Sequence, residues 1–247
     1  MGEERETGGP PGVAAGYQER PSRLAGAVLW TNTTRPLAGP VLPDGCTDLI
    51  WSEGRLLVAG PDTGPQDLHG VPPGTRFTGV RFPPGVGPAV FGVPAGELRD
   101  RRVPLADLWP AGRVREVTER AAAAGTPGGV VRVLERIAEV RLRRAAPPDG
   151  RTAEVAAALA AGRPVAEVAR TVGLGERQLH RLSLDAFGYG PKTLARVLRL
   201  VRALGLARAG VGYAEVAVRA GYADQAHLAR EVKALTGAPM SRLLTSG

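Results

Sequence analysis

Cysteine is almost absent: Cys46 is the only one in 247 residues. An intrachain disulfide is therefore excluded, and with it a disulfide-stapled secreted scaffold. Histidine is scarce too, with three residues, and no zinc-ligand spacing joins them. Aromatics make up 4% of the chain, and only Lys192 and Lys233 among its 32 basic residues are lysines. No apolar run approaches the roughly 18 residues of a membrane span. The opening Met-Gly-Glu-Glu-Arg-Glu-Thr lacks an apolar signal core. No phosphate loop and no Ser-His-Asp order occurs. The expectation is a cytoplasmic protein that is not an enzyme, with no cofactor, no metal and no membrane partner.

What is present is a pattern written twice. The first copy runs from Val165 through Ala169, Gly173, Leu179 and Arg181 to Phe187-Gly188. The second runs from Tyr213 through Ala217, Gly221, Leu228 and Arg230 to Thr236-Gly237. Ala169 to Ala217 is 48 residues, as is Gly173 to Gly221. Each copy reads as a short apolar helix, a glycine turn and a longer helix, the layout of a helix-turn-helix. The alanine fits a helix crossing, and the glycine permits positive φ without a Cβ penalty.

The longer helix of each copy has two faces. Leu179 and Leu182 point inward in the first, while Arg177, Gln178, His180 and Arg181 face out. In the second, Leu228, Val232 and Leu235 form the inward stripe. Gln225, Ala226, His227, Ala229 and Arg230 are the counterparts facing out, with Lys233 beyond them. Asp224 suits the N-cap of this helix; its counterpart, Gly175, is a weaker cap. His180 and His227 lack partnering metal ligands and read better as hydrogen-bonding to DNA; with Arg177, Gln178, Arg181, Gln225, Ala226, Ala229 and Arg230 they are the candidate base-reading residues. Arg181 and Arg230 can make bidentate bonds to guanine, the plainer alternative being ion pairs with Glu176 or Glu231. Between the copies, Pro191 to Arg208 keeps a 3.6-residue apolar stripe. A helix of that length is about 27 Å long and can hold two reading heads near one turn of B-DNA apart. Lys192, Arg196 and Lys233 are expected at the DNA backbone.

At these residues the chain resembles the AraC/XylS family of transcription regulators. The motifs are Gly173-Leu-x-x-Arg177-x-Leu179-x-Arg181, Gly188-x-x-Pro191 and Gly221-Tyr-x-Asp224-x-x-His-Leu228-x-Arg230, in order, over about the last 95 residues. The resemblance implies a DNA-binding domain of two helix-turn-helix units on a central helix. Double-stranded DNA is the partner it implies; RNA polymerase, a small-molecule effector and a homodimer are further options. The departures are Gly175 at the first cap, Pro239 one residue early, and Leu182, Leu228 and Val232 where aromatics are expected.

Charge agrees with a polyanion partner. From Arg151 onward 14 Lys/Arg face 7 Asp/Glu, whereas the first 150 residues hold 18 against 17. That first part reads differently. Residues 1–17 are Gly/Pro-rich and expected to be disordered. Over 18–110 short apolar runs at Ala27–Trp30, Asp48–Trp51, Arg55–Val58 and Phe77–Phe82 alternate with Gly/Pro/Asp turns. They predict a β-rich barrel or jelly-roll-like sensory or regulatory domain. Val41–Trp51 and Val58–Thr63 resemble the N-terminal domain of an actinobacterial-type branch of these regulators. Trp30 and Trp51 are candidates for an effector pocket. Residues 111–145 carry a helical stripe, expected to connect the domains, to dimerise or, most simply, to pack on the β-domain. Ala145–Gly150 is the linker, and 151–247 the DNA-binding domain. The fold class expected is α+β multidomain, a β-rich domain followed by an all-α one.

A competing reading makes Cys46 the centre of a thiol-based DNA alkyl acceptor or redox switch. Asp44 and Asp48 flank it, and no Lys, Arg or His nearby in sequence would activate it. His69 is isolated and reads as an ordinary loop residue.

Overall fold

The computed structural model describes residues 16–36, 39–68, 70–146 and 149–245. Most of residues 1–17, and His69, lie outside the described residues. The first part of the chain gives strands β1 (Gln18–Pro21), β2 (Val28–Thr33), β3 (Thr47–Ser52), β4 (Arg55–Ala59) and β5 (Arg76–Phe82). Two short helices, α1 (Gly87–Phe91) and α2 (Ala95–Leu98), precede β6 (Arg102–Pro104). The six strands form one antiparallel sheet in the order β1-β2-β5-β3-β4-β6. The sheet is not closed, which corrects the barrel or jelly-roll expectation. Its outer strands have four and three residues, and closing a barrel takes more and longer strands. A layer of helices covers one face instead.

Alternation along the strands decides what that layer covers. Leu29, Leu49, Leu56, Val58, Val80 and Phe82 share one face and are buried. Against them pack α3 (Ala111–Ala123) and α4 (Pro127–Arg144), through Val117, Val130, Leu134 and Ile137. Thr126 caps α4 by accepting from the Gly129 amide. The 111–145 segment is thus the second layer of the sheet domain.

The rest is helical: α5 (Gly150–Ala160), α6 (Val165–Thr171), α7 (Glu176–Phe187), α8 (Pro191–Arg208), α9 (Tyr213–Ala220), α10 (Gln225–Thr236) and α11 (Met240–Thr245). Two apolar cores hold it. Val155, Leu159, Val168, Leu179, Phe187 and Leu194 form one. Leu200, Leu204, Val216, Leu228, Val232 and Leu235 form the other. Because α8 contributes to both, it ties the two units together. Tyr189 and Tyr222, each following a turn glycine, are buried aromatics in the two cores.

The two parts of the chain touch. α7 packs on α1 and α2. At Gly188, φ is +84°, and an added Cβ would lie 2.6 Å from Pro61 and 3.1 Å from the Ala95 carbonyl. A side chain there would be strained by the turn and also push the two parts apart. Arg99 Nη1 donates to the Gly188 carbonyl at 3.3 Å. Leu42, from the sheet domain, is a member of the second helical core. Among the described residues no helix is long and apolar enough to cross a membrane.

Candidate nucleic-acid interface

The two helix-turn-helix units form as the repeat requires. Ala169 and Ala217 are buried at the helix crossings, and Gly173 and Gly221 have φ of +64° and +86°. The starts of the reading helices differ. Asp224 Oδ1 accepts from the His227 amide at 2.6 Å, a side-chain cap. Gly175 has no side chain to offer; Gln178 Oε1 reaches back and accepts the Gly175 amide at 2.9 Å.

Arg177, Gln178, His180 and Arg181 are exposed on α7, and Gln225, Ala226, Ala229, Arg230 and Lys233 on α10. Lys192 is exposed at the start of α8. Among the described residues, the side chains of Arg177, Arg181, Lys192, Arg230 and Lys233 make no hydrogen bond or ion pair within the chain. The alternative pairing of Arg181 or Arg230 with Glu176 or Glu231 does not form. Glu231 instead takes a bidentate bond from Arg196, at 2.9 and 3.1 Å. That bond holds the Glu231 carboxyl below the usual range and clamps α8 to α10. His227 is half-buried: its Nδ1 accepts the Ala223 amide at 3.2 Å and its ring meets Tyr222 edge-on. Three of the predicted contact residues, Gln178, Arg196 and His227, are therefore engaged inside the protein. The His180 ring lies against Gly190, where an added Cβ would meet it at 2.8 Å.

Sequence reasoning missed a basic groove beside α7. Arg141, Arg144 and Arg151 line it together with Gln178 and Arg181, around a volume of about 830 Å³ that Asp149 and Asp185 also line. The charges belong to the Arg-Leu-Arg-Arg run that ends α4 and to the start of α5, which periodicity assigned to separate segments. Arg151 is paired with Asp149, so the positive charge that extends from the first reading helix towards the sheet domain rests on Arg141 and Arg144.

The other face of the sheet carries a cavity of about 300 Å³. Trp30 lines it and Trp51 does not. The period of two explains the miss: Asp48 and Ile50 point into the cavity, so Leu49 and Trp51 point into the core beneath α3 and α4. Trp30 Nε1 donates to Asp48 at 2.6 Å. Arg81, opposite Asp48 across the β3–β5 pairing, reaches Asp44 at 3.4 Å and Asp48 at 3.3 Å. Arg102 pairs with Asp62 through both Nη groups, at 2.8 and 2.7 Å. Burial pushes the Asp48 and Asp62 carboxyls up, and the arginines oppose it.

Cys46 also lines this cavity. A cationic neighbour, absent from the local sequence, comes from Arg81 on another strand. Even so the thiol is pushed well up, first by burial and then by Asp44, with Arg81 opposing. The site favours the unreactive thiol.

Residues 168–246 match a family described as "Helix-turn-helix domain". Residues 27–104 match "Domain of unknown function (DUF6597)". No curated protein matches the chain. Among solved structures the chain is similar to ToxT from Vibrio cholerae. An apo ToxT variant aligns at 9% identity with a TM-score of 0.49, covering 92% of this chain and 99% of that one. A second ToxT structure gives 8%, 0.48, 94% and 99%. ToxT with an unsaturated fatty acid bound gives 9%, 0.43, 96% and 89%.

Proposed function

We propose that this chain, a DNA-binding transcription regulator whose residues 168–246 form an AraC-type helix-turn-helix domain, reads duplex DNA with both heads together. In this reading α7 and α10 enter successive major-groove segments about 10 base pairs apart on one face of the duplex. Arg181 and Arg230 read base edges, because a guanidinium offers two parallel donors to guanine O6 and N7. Arg177 stands on the same face of α7 as Arg181 and joins the base-reading set, while Lys192 and Lys233 supply phosphate contacts, whose binding releases counterions. Arg196 shares its guanidinium with Glu231 through Nε and Nη2, which leaves Nη1 for a phosphate. The observation that carries the reading is the equivalent pair Arg181 and Arg230, exposed and without a partner among the described residues. Selection of bound duplexes from a random pool by the full chain tests it. A two-part site with centres about 10 base pairs apart is expected; a one-part site would sink the tandem reading.

The sheet domain is proposed to sense a small molecule in its cavity, in the cytoplasm. The cavity volume of about 300 Å³ lies at the lower end of the range for small-ligand sites, and its wall continues into the helical domain at Leu42. The thiol reading of Cys46 is not favoured, since burial holds that group protonated.

A further inference from the structure

Among the described ion pairs of the sheet-domain cavity, carboxylates outnumber guanidiniums. Its walls bring Asp44, Asp48 and Asp62 together with Arg81 and Arg102. Arg102 is taken up by Asp62 through two hydrogen bonds. Arg81 alone faces both Asp44 and Asp48. Among these five side chains one carboxylate is in excess. Burial of uncompensated charge is costly; desolvation pushes the Asp48 carboxyl up, Asp44 adds to the push, and Arg81 opposes it.

This decides what can enter. Both guanidiniums already face aspartates, so a carboxylate or phosphate head would have to compete with those carboxylates and would meet the excess negative charge. An ammonium group would supply the missing counter-charge. A bare metal ion suits the site less, because among the described residues no group of three His, Cys, Asp or Glu is placed to hold one. The remaining walls include Trp30, Ile50, Leu57 and Phe77, which accept an apolar or aromatic body.

We infer that the cavity binds a small organic ammonium compound, its nitrogen held by Asp48 and Asp44 and its apolar body by Trp30 and Phe77. The inference rests on the sensing reading and names its ligand class. The same wall touches both helical units. Leu42 is packed in the second core. A Cβ on Gly45 would lie 3.3 Å from the Tyr189 hydroxyl, a buried group with no hydrogen-bond partner. A ligand that draws on Asp44 therefore acts one residue from the joint between α7 and the sheet domain.

The test uses the full chain and two matched probe sets: phenethylamine, hydrocinnamate and phenethyl alcohol, and isoamylamine, isocaproate and isoamyl alcohol. Binding is read by tryptophan quenching and by thermal shift. The amines should bind about tenfold or more tighter than the carboxylates of the same body. Asp48→Asn and Asp44→Asn should each remove most of that preference. Both are near-isosteric, and retained binding of the alcohols shows the cavity intact. Carboxylates or alcohols binding as tightly as the amines, or no probe binding at all, would overturn the ammonium assignment. A separate arm fills the cavity with Ile50→Trp and measures affinity for selected DNA. If that affinity changes while the amines fail, the ligand class is wrong and sensing stands. If Ile50→Trp leaves it unchanged, the sensing reading itself fails.

Discussion

The two helix-turn-helix units share a backbone plan and differ in what holds them. The second is secured from within its own domain: Asp224 caps α10, and Arg196 on α8 grips Glu231. The first has neither device. Its helix start is closed by the side chain of Gln178, a residue also expected to contact DNA, and its far end rests on the sheet domain through Gly188, Arg99 and α2. Equal motifs are therefore unequal in restraint. The second head has a cap and a clamp of its own, beside the contact that Leu42 makes with its core, whereas the first lacks both and leans on the sheet domain at the end of α7.

The largest effect should come from removing what joins the first unit to its neighbour. Phe187 is 1% exposed in the first helical core, and a Cβ on Gly85 of the sheet domain would lie 3.0 Å from its ring. Phe187→Ala should cost about 3–5 kcal/mol in a denaturant melt. It should also weaken the half-site read by α7 more than the one read by α10. Equal weakening of both would break the comparison.

Removing the reading groups should cost less and separate the heads. Arg181→Ala and Arg230→Ala should each cost about 1–3 kcal/mol of binding and relax preference at one base position only. Quantitative binding to single-base variants of the selected site measures this. If both substitutions relaxed the same position, the heads would not be independent readers.

Much of this asymmetry was legible in residues, and part was not. The repeat, its buried alanines and the two inward stripes follow from helical periodicity, as did the weak cap at Gly175 and the strong one at Asp224. Four central strands were visible as short apolar runs, but β1, Gln-Glu-Arg-Pro, and β6, Arg-Val-Pro, are polar edges held by pairing with a neighbour. Local pattern cannot show that. Trp51 was misplaced because an aromatic in a strand does not announce its face; the register with β4 and β5 does. Arg81 reaches Asp44 and Cys46 across 37 and 35 residues of chain, so the charge balance of the cavity appears only once the sheet is assembled.

The cap difference gives a smaller and sharper test. Asp224→Ala removes the acceptor for the His227 amide and should destabilise by about 1 kcal/mol. Gly175→Asp adds a cap to the first unit and should stabilise by less than that, because Gln178 already satisfies one group of the turn. Gln178, freed from closing the turn, should then strengthen the α7 half-site. Thermal melts and half-site affinities measure both, and a loss of stability in Gly175→Asp would contradict the capping account.

The smallest effect on DNA binding is expected at Cys46, and its chemistry reports on the joint beside it. The thiol lines the cavity, next to Gly45 and the Tyr189 hydroxyl. Burial raises its pKa in the folded chain, so the reactive thiolate is depleted while the fold is intact and returns when the chain unfolds. Labelling by iodoacetamide near pH 8 should thus be much slower in the native protein than in denaturant, and should rise only at more alkaline pH. Cys46→Ser should leave DNA affinity unchanged, since no reading residue touches position 46. If DNA binding loosens the first head from the sheet domain, labelling should accelerate in the complex; if the joint stays closed, the rate should not move. Fast native labelling near pH 8, together with altered DNA affinity in Cys46→Ser, would instead revive the thiol switch and overturn the account of a protonated, bystander cysteine.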